Sequence, residues 1–117
     1  MRLYGLPLLA CFSIPFPSAL AQSPLTPVNE SGQIVVTIEK NNFSPAEIHV
    51  HAGQKIEILI KNLDPTAEEF DSASLKVEKV IAGHSEGIVH LRKLDPGIYP
   101  FIGEYHSETA KGTVIAE

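Results

Sequence analysis

The chain has 117 residues, with nine basic and fourteen acidic side chains, one cysteine and one methionine. This length corresponds to a single domain. Its acidic balance argues against a nucleic-acid partner, because like charge repels phosphate. Beyond residue 21, no apolar run approaches the roughly 20 residues that a membrane-spanning helix needs.

The first 21 residues are organised like a secretory signal peptide. Arg2 supplies the positive charge, a mostly apolar stretch follows, and residues 19–21 (Ala-Leu-Ala) have the small-x-small pattern of a cleavage site. Cleavage there predicts a periplasmic protein of 96 residues with a formal charge of −6. An alternative is lipid attachment at Cys11, because residues 8–11 (Leu-Leu-Ala-Cys) resemble a lipobox.

Cleavage would also remove the only cysteine and the only methionine of the chain, Cys11 and Met1. Without a thiol, the exported domain has no disulfide, thiolate zinc site, iron–sulfur cluster or cysteine nucleophile. A blue-copper electron-transfer centre is excluded as well, because the thiolate defines that centre.

The strand pattern begins after a flexible lead-in predicted for residues 22–33, which contain Ser, Pro and Gly without an apolar period. From Ile34 onward, short segments alternate apolar and polar side chains, as half-buried strands do. A bend is predicted at residues 43–46 (Phe-Ser-Pro-Ala). The predicted strands cover residues 34–39, 47–50, 55–62, 68–71, 76–81, 87–92, 98–105 and 112–116.

No segment has a helical period over three turns. Seven or eight short strands, spaced by about ten residues and separated by turn signals, predict an all-β, antiparallel two-sheet sandwich.

Without a thiol, the metal ligands that remain are histidine and carboxylates. Because residues two apart on an extended chain share a face, we expect Glu69 and Asp71 to point the same way, and likewise Glu104 and His106. Six candidate ligands lie in these stretches: Glu68, Glu69, Asp71, Glu78, Glu104 and His106.

If the stretches are neighbours in space, these groups converge at one end of the sandwich. Oxygen ligands favour iron, manganese, calcium or magnesium, and an imidazole shifts the preference toward iron, zinc or copper(II). Without a cation the carboxylates would repel one another. The alternative interpretation is that each carboxylate is an ordinary solvated loop residue.

Several motifs resemble a cupredoxin over residues 34–117. They are residues 43–45 (Phe-Ser-Pro), 50–53 (Val-His-Ala-Gly), 58–64, 97–106 and 111–114. The resemblance implies a cupredoxin-like Greek-key sandwich for this domain.

The resemblance also implies which residues stand at the copper-ligand positions. Glu68 stands where a copper-binding cupredoxin has its first His, and Gly103 stands at the Cys position. His106 stands at the position of the second His, and Thr109 lies near the usual Met position. Three of the four copper ligands are therefore missing.

Residues 69–72, 75–80 and 101–112 are similar to the EfeO-type cupredoxin-like domain of bacterial periplasmic iron-uptake systems. This resemblance implies a domain that binds iron or copper through carboxylates and a histidine, in service of a permease. The matching positions are Glu69, Asp71, Glu78, Glu104 and His106, and Glu68 is an extra candidate by position.

These observations lead to the hypothesis of a metal-binding accessory protein for iron uptake. Its partner would be an inner-membrane iron permease or another periplasmic uptake component, and enzymatic activity is not expected. One alternative is a redox protein that acts on iron through a bound copper ion. Another is a subunit that docks to a permease and binds no metal.

Overall fold

The structure is a computed structural model that describes residues 2–5, 7, 10, 11, 13 and 24–117. The predicted cleavage site at residues 19–21 lies outside the described residues. No helix within the described part of the chain is long and apolar enough to cross a membrane. The strands are β1 (Ile34–Glu39), β2 (Asn42–Ser44), β3 (Glu47–Val50), β4 (Ile56–Asn62), β5 (Glu68–Ser72), β6 (Val77–Ile81), β7 (Glu86–Leu91), β8 (Gly97–Gly103) and β9 (Lys111–Ala116).

The strands form two sheets, a four-stranded one in the order β2-β1-β4-β7 and a five-stranded one in the order β3-β9-β8-β5-β6. The predicted all-β two-sheet sandwich is confirmed. The expectation of purely antiparallel sheets is wrong, because β1 runs parallel to β4 and β3 runs parallel to β9. An alternating pattern identifies the buried face of a strand, but the direction of its neighbour depends on how the chain crosses between sheets.

The strand missing from the prediction is β2, which occupies part of the segment expected to bend. It pairs with β1 through Ile38 and Phe43, and the two-residue turn between them has positive φ at Lys40 and Asn41. A turn of this kind matches the twist of a hairpin. Three residues are too few to display a period of two, which explains why the pattern did not show this strand.

Three aromatic rings join the two sheets in the core. Phe70 stacks on Phe101 with ring centroids 4.7 Å apart, and Phe43 meets them edge-on at 5.9 and 5.1 Å. Phe43 belongs to the four-stranded sheet, whereas Phe70 and Phe101 belong to the five-stranded sheet. The rings therefore pack the inner faces of β5 and β8 against the four-stranded sheet.

The loop that leads into β5 is fixed by two polar side chains. The buried Asn62 amide nitrogen lies 2.9 to 3.2 Å from the carbonyl oxygens of Thr66, Ile81 and Ala82. The Asp64 carboxylate accepts hydrogen bonds from the backbone N–H groups of the β1–β2 turn. These bonds set the position at which β5 begins.

The described part of the predicted lead-in also contacts the sandwich. The Thr26 backbone N–H donates to the carbonyl of His49 in β3, and the His49 N–H donates to the Thr26 hydroxyl. Residue 26 is thus attached to the edge of the five-stranded sheet.

Replacement of Phe70 by alanine tests the role of the aromatic cluster. Because Phe70 is fully buried, we expect the free energy of unfolding to fall by about 3–5 kcal/mol. Val80→Ala is the control on the neighbouring strand β6, since Val80 is half exposed, and it should cost less than about 0.5 kcal/mol. Urea unfolding of both variants measures the difference, and equal losses would contradict this account of the core.

Candidate functional site

Three carboxylates meet on the outer face of the five-stranded sheet. Glu69 and Asp71 alternate with inward-facing residues of β5, and Glu78 of β6 lies directly opposite Asp71 in the antiparallel register. One oxygen from each of the three carboxylates falls within 4.8 Å of the others. We refer to Glu69, Asp71 and Glu78 as the acidic triad.

Within the described residues, no salt bridge to a basic side chain balances the acidic triad. The salt bridges found in the described part of the chain involve other carboxylates, those of Glu47, Glu57, Glu68 and Glu86. The pKa of Glu69 is raised above its usual value of 4.5, first by partial loss of hydration and then by the charges of Glu78, Asp71, Glu104 and Glu68. The triad is therefore a concentration of negative charge that a cation would relieve.

Glu68 faces the opposite way and is buried, with a relative exposure of 1%. Its Oε1 accepts the backbone N–H groups of Glu69 at 3.0 Å and Tyr105 at 2.9 Å. Its Oε2 lies 2.6 Å from His106 Nδ1. An ionised carboxylate can only accept, so with Glu68 in its charged form His106 Nδ1–H is the donor in this third bond. We refer to this arrangement as the Glu68–His106 pair.

Glycine at position 103 is required by the Glu68–His106 pair. Gly103 pairs with Phe70 at the end of β8. A β-carbon added at Gly103 would lie 2.6 Å from Glu68 Cδ and 2.6 Å from Ala110 Cβ. No side chain fits there while the Glu68 carboxylate is in place.

The residues present do not fit the copper ion of a blue-copper cupredoxin. The space for a sulfur ligand at position 103 is filled by the Glu68 carboxylate, and the Nδ1 of His106 is engaged by that carboxylate. Thr109 donates its hydroxyl hydrogen to the Asn41 carbonyl at 2.6 Å, so it closes the neighbouring loop.

The expectation that Glu104 and His106 share a strand face is wrong. Strand β8 ends at Gly103, and Glu104–His106 form a 3₁₀ helix. Three residues per turn separate residues two apart by about 240° around the helix axis. Glu104 is exposed and its charge contributes to the raised pKa of Glu69, whereas His106 turns inward to Glu68.

The six predicted site residues therefore divide into two groups. Among the described residues, the acidic triad is the single group of three or more side chains placed to share an ion. Glu104 stands beside it, and the Glu68–His106 pair lies on the inner side of the sheet. The role of Glu68 as an internal acceptor was missed, although its spacing of two from Phe70 would have placed it on the core face.

Comparison with known proteins agrees with the cupredoxin resemblance. The family model described as a cupredoxin-like domain matches residues 7–116. An uncharacterized protein of Rickettsia prowazekii (strain Madrid E) is 36% identical over 83 residues, which cover 71% of this chain and 66% of that relative. The chain thus spans just under two thirds of the length of this relative.

Solved structures share the fold at low sequence identity. The metal-binding domain of the Streptococcus pneumoniae Cu(I)-exporting P-type ATPase CopA, with Cu(I), has a TM-score of 0.66 at 20% identity, covering 80% of this chain and 99% of that chain. Auracyanin A, a blue copper protein of Chloroflexus aurantiacus, has a TM-score of 0.63 at 16% identity, and the match covers 73% of this chain and 98% of that chain. Amicyanin from Paracoccus versutus has a TM-score of 0.57 at 17% identity, and the match covers 73% of this chain and 81% of that chain. These likenesses show the fold alone.

Replacement of Gly103 by alanine tests the close packing around Glu68. We expect a loss of about 1–3 kcal/mol in the free energy of unfolding, because the new methyl group overlaps Glu68 and Ala110. Gly97→Ala, at the other end of β8, is the matched control, since its nearest neighbour is an ordinary 3.6 Å contact with Tyr99. Chemical denaturation that found both variants equally stable would contradict the packing described here.

Replacement of Glu69 by glutamine tests the repulsion in the acidic triad. Because the folded-state pKa of Glu69 is raised, folding favours its protonated form, and stability is lost as pH rises through that pKa. Glu69→Gln should therefore be more stable than wild type at pH 7 in the presence of a chelator, and the difference should vanish below about pH 4. Urea unfolding between pH 7 and about pH 4 measures this difference in stability. Glu30→Gln, at an exposed position, is the control. A difference independent of pH would contradict the repulsion.

Proposed function

The chain belongs to the family of cupredoxin-like domains, and on that premise we propose that it is an exported protein that binds a divalent metal ion at the acidic triad. In this proposal the protein serves as an accessory of iron uptake, or of copper-assisted iron uptake, in the periplasm. The observation that carries the proposal is the approach of three carboxylates to within 4.8 Å, with no salt bridge to a basic side chain from the part of the chain that the structure describes.

The donor set is suited to a hard or borderline cation. Three carboxylate oxygens can occupy one side of a metal ion, and the exposed position of the triad leaves the other side to water or to a partner. The three carboxylate oxygens of the triad suit iron. They also suit copper(II), although the triad offers copper no nitrogen ligand. Glu104 adds negative charge next to the triad without joining it.

Iron is favoured by the resemblance of residues 69–72, 75–80 and 101–112 to the EfeO-type domain. Copper is favoured by the fold, because the similar structures include a blue copper protein and a metal-binding domain with Cu(I). The signal-peptide pattern supports export. A transient partner in the inner membrane, such as an iron permease, would take the metal from this open surface.

An accessory role fits the site better than electron transfer does. The exported domain has no sulfur ligand, and the structure leaves no room for one at Gly103. The negative formal charge favours a second candidate, in which the same surface docks to a basic face of a permease and binds no metal.

Calorimetric titration of the processed protein with Fe²⁺, Cu²⁺ and Zn²⁺ tests the proposal. The variant Glu69→Gln/Asp71→Asn/Glu78→Gln, here the triad variant, should lose binding. Metal at 100 times its Kd should raise the stability of the wild type by about 2.7 kcal/mol. The charge-matched control is Glu47→Gln/Glu57→Gln/Glu86→Gln, which removes three carboxylates elsewhere on the surface.

Equal affinity in the triad variant and wild type would reject the triad as the metal site. A wild type whose melting temperature does not respond to any of the three metals would favour the docking role instead.

A further inference from the structure

We infer that the Glu68–His106 pair stands in place of a metal ion on the inner side of the sheet, so that this end of the sandwich closes without metal. The inference goes beyond the proposed function and does not depend on it. It concerns the inner position, whereas the proposed metal site lies on the outer face of the same strand.

The Glu68 carboxylate connects parts of the chain that are far apart in sequence. It belongs to β5, and its acceptor atoms hold the Tyr105 backbone and the His106 ring of the 3₁₀ helix, 37 and 38 residues away. A coordinated ion holds separate segments together in the same manner, through several bonds that converge on one charge. Here the converging charge is a carboxylate, and the bonds are hydrogen bonds.

Burial makes all three bonds necessary. A carboxylate with 1% exposure is stable only if donors replace the water it has lost. Two backbone N–H groups and the His106 ring provide those donors at 2.6 to 3.0 Å. Loss of the His106 ring would leave an oxygen of the buried Glu68 carboxylate unpaired, which costs more than the pair itself contributes.

The space beside Gly103 admits no ligand side chain while this pair is formed. The position that a side chain at Gly103 would occupy is within 2.6 Å of both Glu68 and Ala110. A metal bound to His106 Nδ1 would have to break the 2.6 Å hydrogen bond between that nitrogen and Glu68 Oε2. The inner position is therefore structural, and we expect added metal to leave it unchanged.

The first experiment measures stability in the metal-free protein. Glu68→Ala should lower the folded-to-unfolded ratio by at least about 100-fold. Glu104→Ala removes an exposed carboxylate from the 3₁₀ helix that carries His106, and it should change this ratio by less than about threefold. His106→Asn keeps an N–H donor near the place of Nδ1 and should retain most of the stability that His106→Leu loses. Equal stability of the Glu68 and Glu104 variants would overturn the inference.

The second experiment uses the triad variant, in which metal binding at the outer site no longer masks binding at the inner position. Added Zn²⁺, Cu²⁺ or Cu⁺ should leave its melting temperature unchanged, and the ¹⁵N resonances of the His106 ring should not move with Zn²⁺. Metal uptake that shifts those resonances and disappears in His106→Asn would overturn the inference. This measurement decides the question even if Glu68→Ala does not fold.

The two proposals fail in different ways. If the wild type binds no metal, the proposed function is rejected, while an unshifted His106 ring and a destabilised Glu68→Ala still support the inner pair. If metal binds at His106 Nδ1, the inner pair is rejected whatever the acidic triad does.

Discussion

The buried carboxylate of Glu68 imposes the constraint from which the rest of this end of the molecule follows. It sits on the same inward face of β5 as Phe70, where it is cut off from water. Its two oxygens need donors, and they obtain them only if the chain leaves β8 at Gly103 and turns at once into a 3₁₀ helix. That turn brings the Tyr105 N–H and the His106 ring over the end of β5.

The same turn determines what the outer face can do. A continued β8 strand would have aligned Glu104 and His106 on one side, with carboxylate and imidazole together. The 3₁₀ helix separates them, so that His106 serves the interior and Glu104 stays in water near Glu69. The outer group is then built from oxygen ligands alone, which shifts its metal preference toward hard cations.

Local pattern was enough to predict the sandwich and most strands, because each of those strands is long enough to show a period of two. It failed at β2, which has three residues, and at the end of β8, where the requirement of Glu68 for donors overrides the alternation. The closeness of Glu69, Asp71 and Glu78 was predicted only in outline. It depends on the register that sets Asp71 opposite Glu78, and neither segment contains that register by itself. The packing of Gly103 against Glu68 and Ala110 could not be predicted either, because these residues come from three separate segments of the chain.

Consecutive residues of one strand connect the inner and outer groups electrostatically. Glu68 and Glu69 point to opposite faces, yet the charge of Glu68 is among the causes that raise the pKa of Glu69. A neutral residue at the inner position would not add to the negative potential at the triad. The carboxylate at position 68 therefore has two consequences: it fixes the β8–β9 connection from inside, and it increases the attraction of the outer face for a cation.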